Sequence, residues 1–86
     1  MDAAIRTSGN TLDLRGERVD EALARVDRFL DEAALGGDAV VFILHGFGTG
    51  VLRKAVRAHL KKSPYTRRSR PASPEQGGDA FTAVAL

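Results

Sequence analysis

The run Ala39-Val40-Val41-Phe42-Ile43-Leu44 constrains the fold more than any other segment of the chain. Six consecutive apolar residues, rich in β-branched and aromatic side chains and lying between Gly36-Gly37 and Gly46, form a strand with no polar face. Such a strand must be covered on both sides, so it belongs at the centre of a sheet, in parallel pairing. The partner is legible upstream. Thr11 to Arg15 alternates polar and apolar, putting Leu12 and Leu14 on a core face and Asp13 and Arg15 on the other, until Gly16 ends the strand. Between the two, Val19, Ala22, Leu23, Val26, Leu30 and Ala33 recur at helical spacing. Asp20 and Glu21 fall in the first turn, where the helix dipole favours acids, and Gly36-Gly37 stops the helix.

Downstream, Leu52, Ala55, Val56, His59 and Leu60 predict the buried stripe of a second helix, with His59 in the core, and Ser63-Pro64 ends it. Tyr65 to Arg70 reads as a strand, Pro71 to Gly78 as a loop, and Ala80 to Leu86 as a last strand with Phe81/Ala83/Ala85 and Thr82/Val84/Leu86 faces. Residues 1–9 lack a period and read as a linker or remnant outside a domain spanning 10–86. The expected fold is an α/β two-layer sandwich, β-α-β-α-β-β, with two helices on one face of a four-stranded mixed sheet. Eighty-six residues suffice for one such core and no second.

Absence of cysteine removes thiolate chemistry and disulfides, and two histidines do not make a metal cage. The longest apolar run is too short to cross a bilayer, and Met1 is followed by no basic-then-apolar leader, so a cytoplasmic protein with no membrane partner is expected. The net charge of +2 hides an asymmetry, because residues 1–50 sum to −4 and residues 51–86 to +6. Arg53, Lys54, Arg57, Lys61, Lys62, Arg67, Arg68 and Arg70 lie in a stretch without an acid. Such a block attracts a polyanion, nucleic acid above all; a solvated helix face with a basic edge strand is the plainer alternative.

Parallel pairing would set the carboxyl ends of the first two strands side by side, where ligands of open α/β sheets bind. Asp13-Leu14-Arg15-Gly16 ends one strand and His45-Gly46 the other. Gly46, Gly48, Thr49 and Gly50 lead straight into the second helix and suit a phosphate, since glycines admit close approach and free N–H groups point at the anion. No Lys-Ser/Thr follows, so this is no Walker loop and no ATP site is expected. His45 could serve as general acid or base, Arg15 could offset charge on phosphorus, and Asp13 could orient the imidazole or hold a metal. Glu17 is a further candidate acid. Phe47 is either a lid over the core or a surface on which a base stacks. A weak Mg²⁺ or Mn²⁺ site is compatible with these residues, although no ligand spacing demands one.

Asp13-Leu14-Arg15-Gly16 with His45-Gly46-Phe47-Gly48-Thr49-Gly50 resembles the Smr (small MutS-related) domain, which has a D-L-H/R-G and an H-G-x-G-x-G element. The resemblance covers residues 10–86, including the V-x-E-A-L helix start (Val19 to Leu23) and a P-x-x-P-x-x-G-G segment (Pro71 to Gly78). Arginine at position 15 is similar to the version at the C-terminus of the second-type bacterial MutS protein, implicated in suppressing recombination. Ala80 stands where the family often has glycine, and versions with histidine at position 15 are those associated with RNA cleavage. The resemblance implies a DNA-nicking endonuclease of low sequence specificity acting on branched or double-stranded DNA. The alternative is a non-catalytic module docking its parent on branched DNA or ribosomal RNA, with mRNA a further partner. It also implies a bacterial, nucleoid- or ribosome-associated protein and a parent ATPase that this chain lacks.

Overall fold

The computed structural model describes residues 1 and 3–86. The elements are β1 (Thr11–Asp13), α1 (Val19–Leu35), β2 (Val40–Leu44), α2 (Val51–Lys62), β3 (Arg68–Pro71) and β4 (Phe81–Ala85), in the expected order. The sheet runs β1-β2-β4-β3. β1 pairs with β2 in parallel, and β4 pairs antiparallel with both β2 and β3. The apolar run is thus an inner strand, parallel to one neighbour and antiparallel to the other.

Both helices pack on one face. Ala22, Val26, Leu30 and Ala33 of α1 and Val56 and Leu60 of α2 close over Leu12, Leu14, Val41, Ile43 and Val84. Burying each leucine in this layer is worth about 1.5–3 kcal/mol. α1 stops in a Schellman arrangement, with Gly37 N–H donating to Ala34 and Asp38 N–H to Ala33. Basic residues in the last turn of α2, Lys61 and Lys62 among them, suit the negative end of its dipole.

Three expectations about the fold need correction. His59 is not a core residue: it lies at the seam between the helices, its Nε2 2.6 Å from Asp27 Oδ1. The third strand starts at Arg68 rather than Tyr65, because Ser63-Pro64 opens a turn in which the Thr66 N–H bonds back to Ser63. Tyr65 instead donates its hydroxyl to Asp31 of α1. The loop after β3 contains two single 3₁₀ turns, Pro74–Gln76 and Gly78–Ala80.

The N-terminal segment read as a linker packs against the other face of the sheet, residue 2 lying outside the described residues. Met1 and Ala4 cover a small second core of Phe42, Ala72, Phe81 and Ala83. The Gln76 side-chain amide donates to the carbonyls of Met1 and Ala4, and the Arg6 guanidinium lies 4.2 Å over the Phe81 ring. Among the described residues no helix is long and apolar enough to cross a membrane.

Candidate nucleic-acid interface

Parallel register places Asp13 opposite Leu44, so the segments following β1 and β2 leave the sheet together. They then touch. A Cβ on Gly46 would lie 3.3 Å from Arg15 Cγ, and Gly46, Gly48 and Gly50 all adopt positive φ. The arginine of the first motif therefore rests on the glycine loop of the second, as close approach by a residue without a side chain allows.

Asp13 and His45, in contrast, do not meet as partners. Within β1, Asp13 alternates with Leu12 and Leu14 and faces away from the helices. Its Oδ1 accepts from the Arg15 backbone N–H at 3.0 Å and from Nε at 3.1 Å, and Oδ2 accepts from Nη2 at 2.9 Å. These bonds hold the carboxyl below its ordinary range. The expectation that Asp13 orients the imidazole is thereby replaced: its oxygens are committed to Arg15.

His45 is 5% exposed and held from the helix side. Its Nδ1 lies 2.9 Å from the Gly46 carbonyl and its Nε2 2.8 Å from Thr82 Oγ1. A carbonyl can only accept, so Nδ1 carries the proton and, in the neutral ring, Nε2 accepts from the Thr82 hydroxyl. Thr82 Oγ1 in turn accepts from Arg57 Nε at 2.9 Å. Arg57 Nη2 reaches Asp79 Oδ1 at 2.8 Å, and Arg53 Nη1 reaches Asp79 Oδ2 at 2.9 Å. A chain of bonds thus runs from His45 through Thr82, Arg57 and Asp79 to Arg53. Burial lowers the His45 pKa from the ordinary 6.5; the nearby Arg57 and Arg53 charges act in the same direction, against the Gly46 carbonyl and Asp79.

A pH dependence follows. The unfolded chain binds a proton at His45 more readily than the folded one, so the stability this residue contributes is present above pH 6.5 and is lost as pH falls from there through its folded pKa. In denaturant titrations at pH 7.5 and 5.0, His45→Gln should show a smaller difference between the two pH values than the wild type. An equal difference would contradict the neutral, buried imidazole.

The basic block divides. Arg53, Lys54, Arg57, Lys61 and Lys62, with Thr49, Gly50 and Ala58, line a groove of about 700 Å³ beside the glycine loop. Arg68 and Arg70 instead stand opposite Ala85 and Ala83, which puts them on the sheet face away from the helices. Arg67 is exposed just ahead of β3. The eight basic residues are thus distributed between a five-residue groove and a separate basic edge.

Acids near the rim already face arginines: Asp13 faces Arg15, Glu17 faces Arg25, and Asp79 faces Arg53 and Arg57. Among the described residues no three His, Asp or Glu side chains converge. The residues present do not fit a preformed Mg²⁺ or Mn²⁺ site. Glu17 lines a crevice with His45, Phe47 and Val51 between the two loops. Phe47 is 61% exposed and is no lid over the core. Sequence reasoning missed Thr82 and Asp79. A lone hydroxyl in the otherwise apolar Phe81–Ala85 strand was the available signal for the first.

The Smr domain model matches residues 12–86. The chain is 51% identical to Endonuclease MutS2 of Anaeromyxobacter sp. (strain Fw109-5) over 87% of its length and 9% of that protein. It is 48% identical to Endonuclease MutS2 of Halalkalibacterium halodurans over 87% of its length and 10% of that protein. It spans about a tenth of the length of these curated relatives. Among solved structures, the Smr domain of Thermus thermophilus MutS2 is 43% identical with a TM-score of 0.86, covering 90% of this chain and 96% of that one. YdaL, a stand-alone small MutS-related protein from Escherichia coli, is 26% identical with a TM-score of 0.89, covering 98% and 69%.

Proposed function

The chain belongs to the Smr domain family, and on that premise we propose that it grips the sugar-phosphate backbone of double-stranded or branched DNA and nicks it with little sequence preference. The observation that carries this reading is the contact of Arg15 with Gly46, which joins the two motifs on one rim beside the cationic groove. The groove binds phosphates through Arg53, Lys54, Arg57, Lys61 and Lys62, giving affinity without reading bases. Water attacks phosphorus, one P–O ester bond breaks, and a hydroxyl end and a phosphate end result. Arg15 and the Arg53–Arg57 pair oppose the charge that grows on the phosphoryl oxygens. His45 is a positioning residue: its proton stays on Nδ1, and the ring ties the glycine loop to β4.

The same chemistry favours a second reading, binding without cleavage, on one observation: both ring nitrogens of His45 and both oxygens of Asp13 are already engaged within the protein. Incubation with supercoiled plasmid, with and without EDTA, separates the two. Nicking is expected in both lanes, and bound but intact plasmid would move the assignment to the binding module. The Lys61→Ala/Lys62→Ala double variant should lower affinity and flatten the plot of log K against log salt by roughly 1.8, about 0.9 per phosphate contact removed. An unchanged slope would take these lysines out of the interface.

A further inference from the structure

We propose that the crevice between the two loops is a pocket for one unstacked nucleobase of forked DNA, with Phe47 as its stacking face; this rests on the backbone-binding reading above. The crevice encloses about 320 Å³ between the residues after β1 and those after β2. That is the small end of the range for ligand pockets, about 300–1,000 Å³. Val19 and Leu52 supply apolar wall, Glu17 and His45 polar wall, and Phe47 and Val51 the rim.

Phe47 and Val51 are 61% and 60% exposed, two large apolar side chains that line the same crevice in the strand-to-helix region. Neither serves the core. Their position beside the groove gives them a use, because Thr49 and Gly50 line both cavities. A strand whose phosphates lie against Arg53 and Lys54 can carry its base across this shared wall into the crevice, where the Phe47 ring offers a π face. Stacking on an aromatic tolerates any base, which agrees with a backbone grip that reads none. Intact duplex must first unstack a base to use the pocket, whereas the branch point of a fork presents one already unpaired. The pocket therefore selects DNA structure rather than sequence.

The test compares a forked and a fully paired DNA of equal length, each carrying 2-aminopurine at the corresponding position. The wild type should bind the fork about 5- to 150-fold more tightly, the range expected for one stacked base, and change its 2-aminopurine emission. Phe47→Ala should bring the fork-to-duplex ratio close to one and abolish the emission change, and Phe47→Trp should restore both. A wild type without fork preference, or Phe47→Ala with ratio and emission intact, overturns the pocket. The Lys61→Ala/Lys62→Ala variant should weaken fork and duplex alike. If it weakens neither while Phe47→Ala loses the fork preference, the backbone reading fails and the base pocket stands.

Discussion

Arg15→Ala is expected to slow plasmid nicking by about 10²–10³-fold, the loss typical when one preorganised charge-stabilising donor is removed. The side chain is 63% exposed, so its removal leaves the core intact. Its loss also strips Asp13 of the guanidinium that satisfies both carboxylate oxygens. A bare negative charge then stands at the rim where the scissile phosphate must come. Arg15→Lys should recover part of the rate, because an ammonium keeps the charge but cannot span both Asp13 oxygens. Single-turnover nicking measured beside DNA affinity separates chemistry from binding: the rate should fall far more than the affinity. Nicking by Arg15→Ala within threefold of the wild type would remove Arg15 from the reaction.

Gly77→Ala should be the most damaging glycine-to-alanine change in the fold, costing about 2–5 kcal/mol. Gly77 has φ +114°, and a Cβ there would fall 2.5 Å from Cδ1 and Cε1 of Phe81. That ring cannot easily retreat, being buried in the second core with Arg6 stacked over it. Gly78→Ala is the internal control: its φ is also positive, at +74°, but nothing lies within 4 Å of the added carbon. It should cost only the backbone strain. Thermal unfolding should show Gly77→Ala lowered by roughly 10–30 °C for a domain of this size and Gly78→Ala by clearly less. The consequence extends to the interface, since the turn after Gly77 carries Asp79, which holds Arg53 and Arg57 in place. Equal melting temperatures for the two variants would refute the clash.

The architecture was readable because its signals are local and periodic. A six-residue apolar run rich in β-branched side chains is too short for a helix and reads as an inner strand, and the 3.6-residue stripe from Val19 to Ala33 has one way to be buried. Parallel pairing then brought the two motifs to one rim without further information. What escaped depended on which face a residue takes or on partners distant in sequence. Arg68 and Arg70 are continuous with the basic helix in sequence, yet strand register turns them to the other side of the sheet. His59 matches the apolar stripe by spacing, but Asp27 on the neighbouring helix draws it to the seam. Proximity of strand ends offers Asp13 to the His45 imidazole or to a metal, whereas the single residue between it and Arg15 lets that arginine fold back and occupy it. Thr82 is 37 positions from His45, and no periodicity connects them.

Everything functional here depends on DNA meeting the two loops and α2, and an amide chemical-shift titration of the domain with a short DNA duplex tests that most directly. The amides of Arg15 to Glu17, Gly46 to Gly50 and Arg53 to Lys62 should shift together, while those of Arg68 to Arg70 and Phe81 stay in place. Shifts confined to β3 and the Phe81 face, with the loops and α2 silent, would contradict the account.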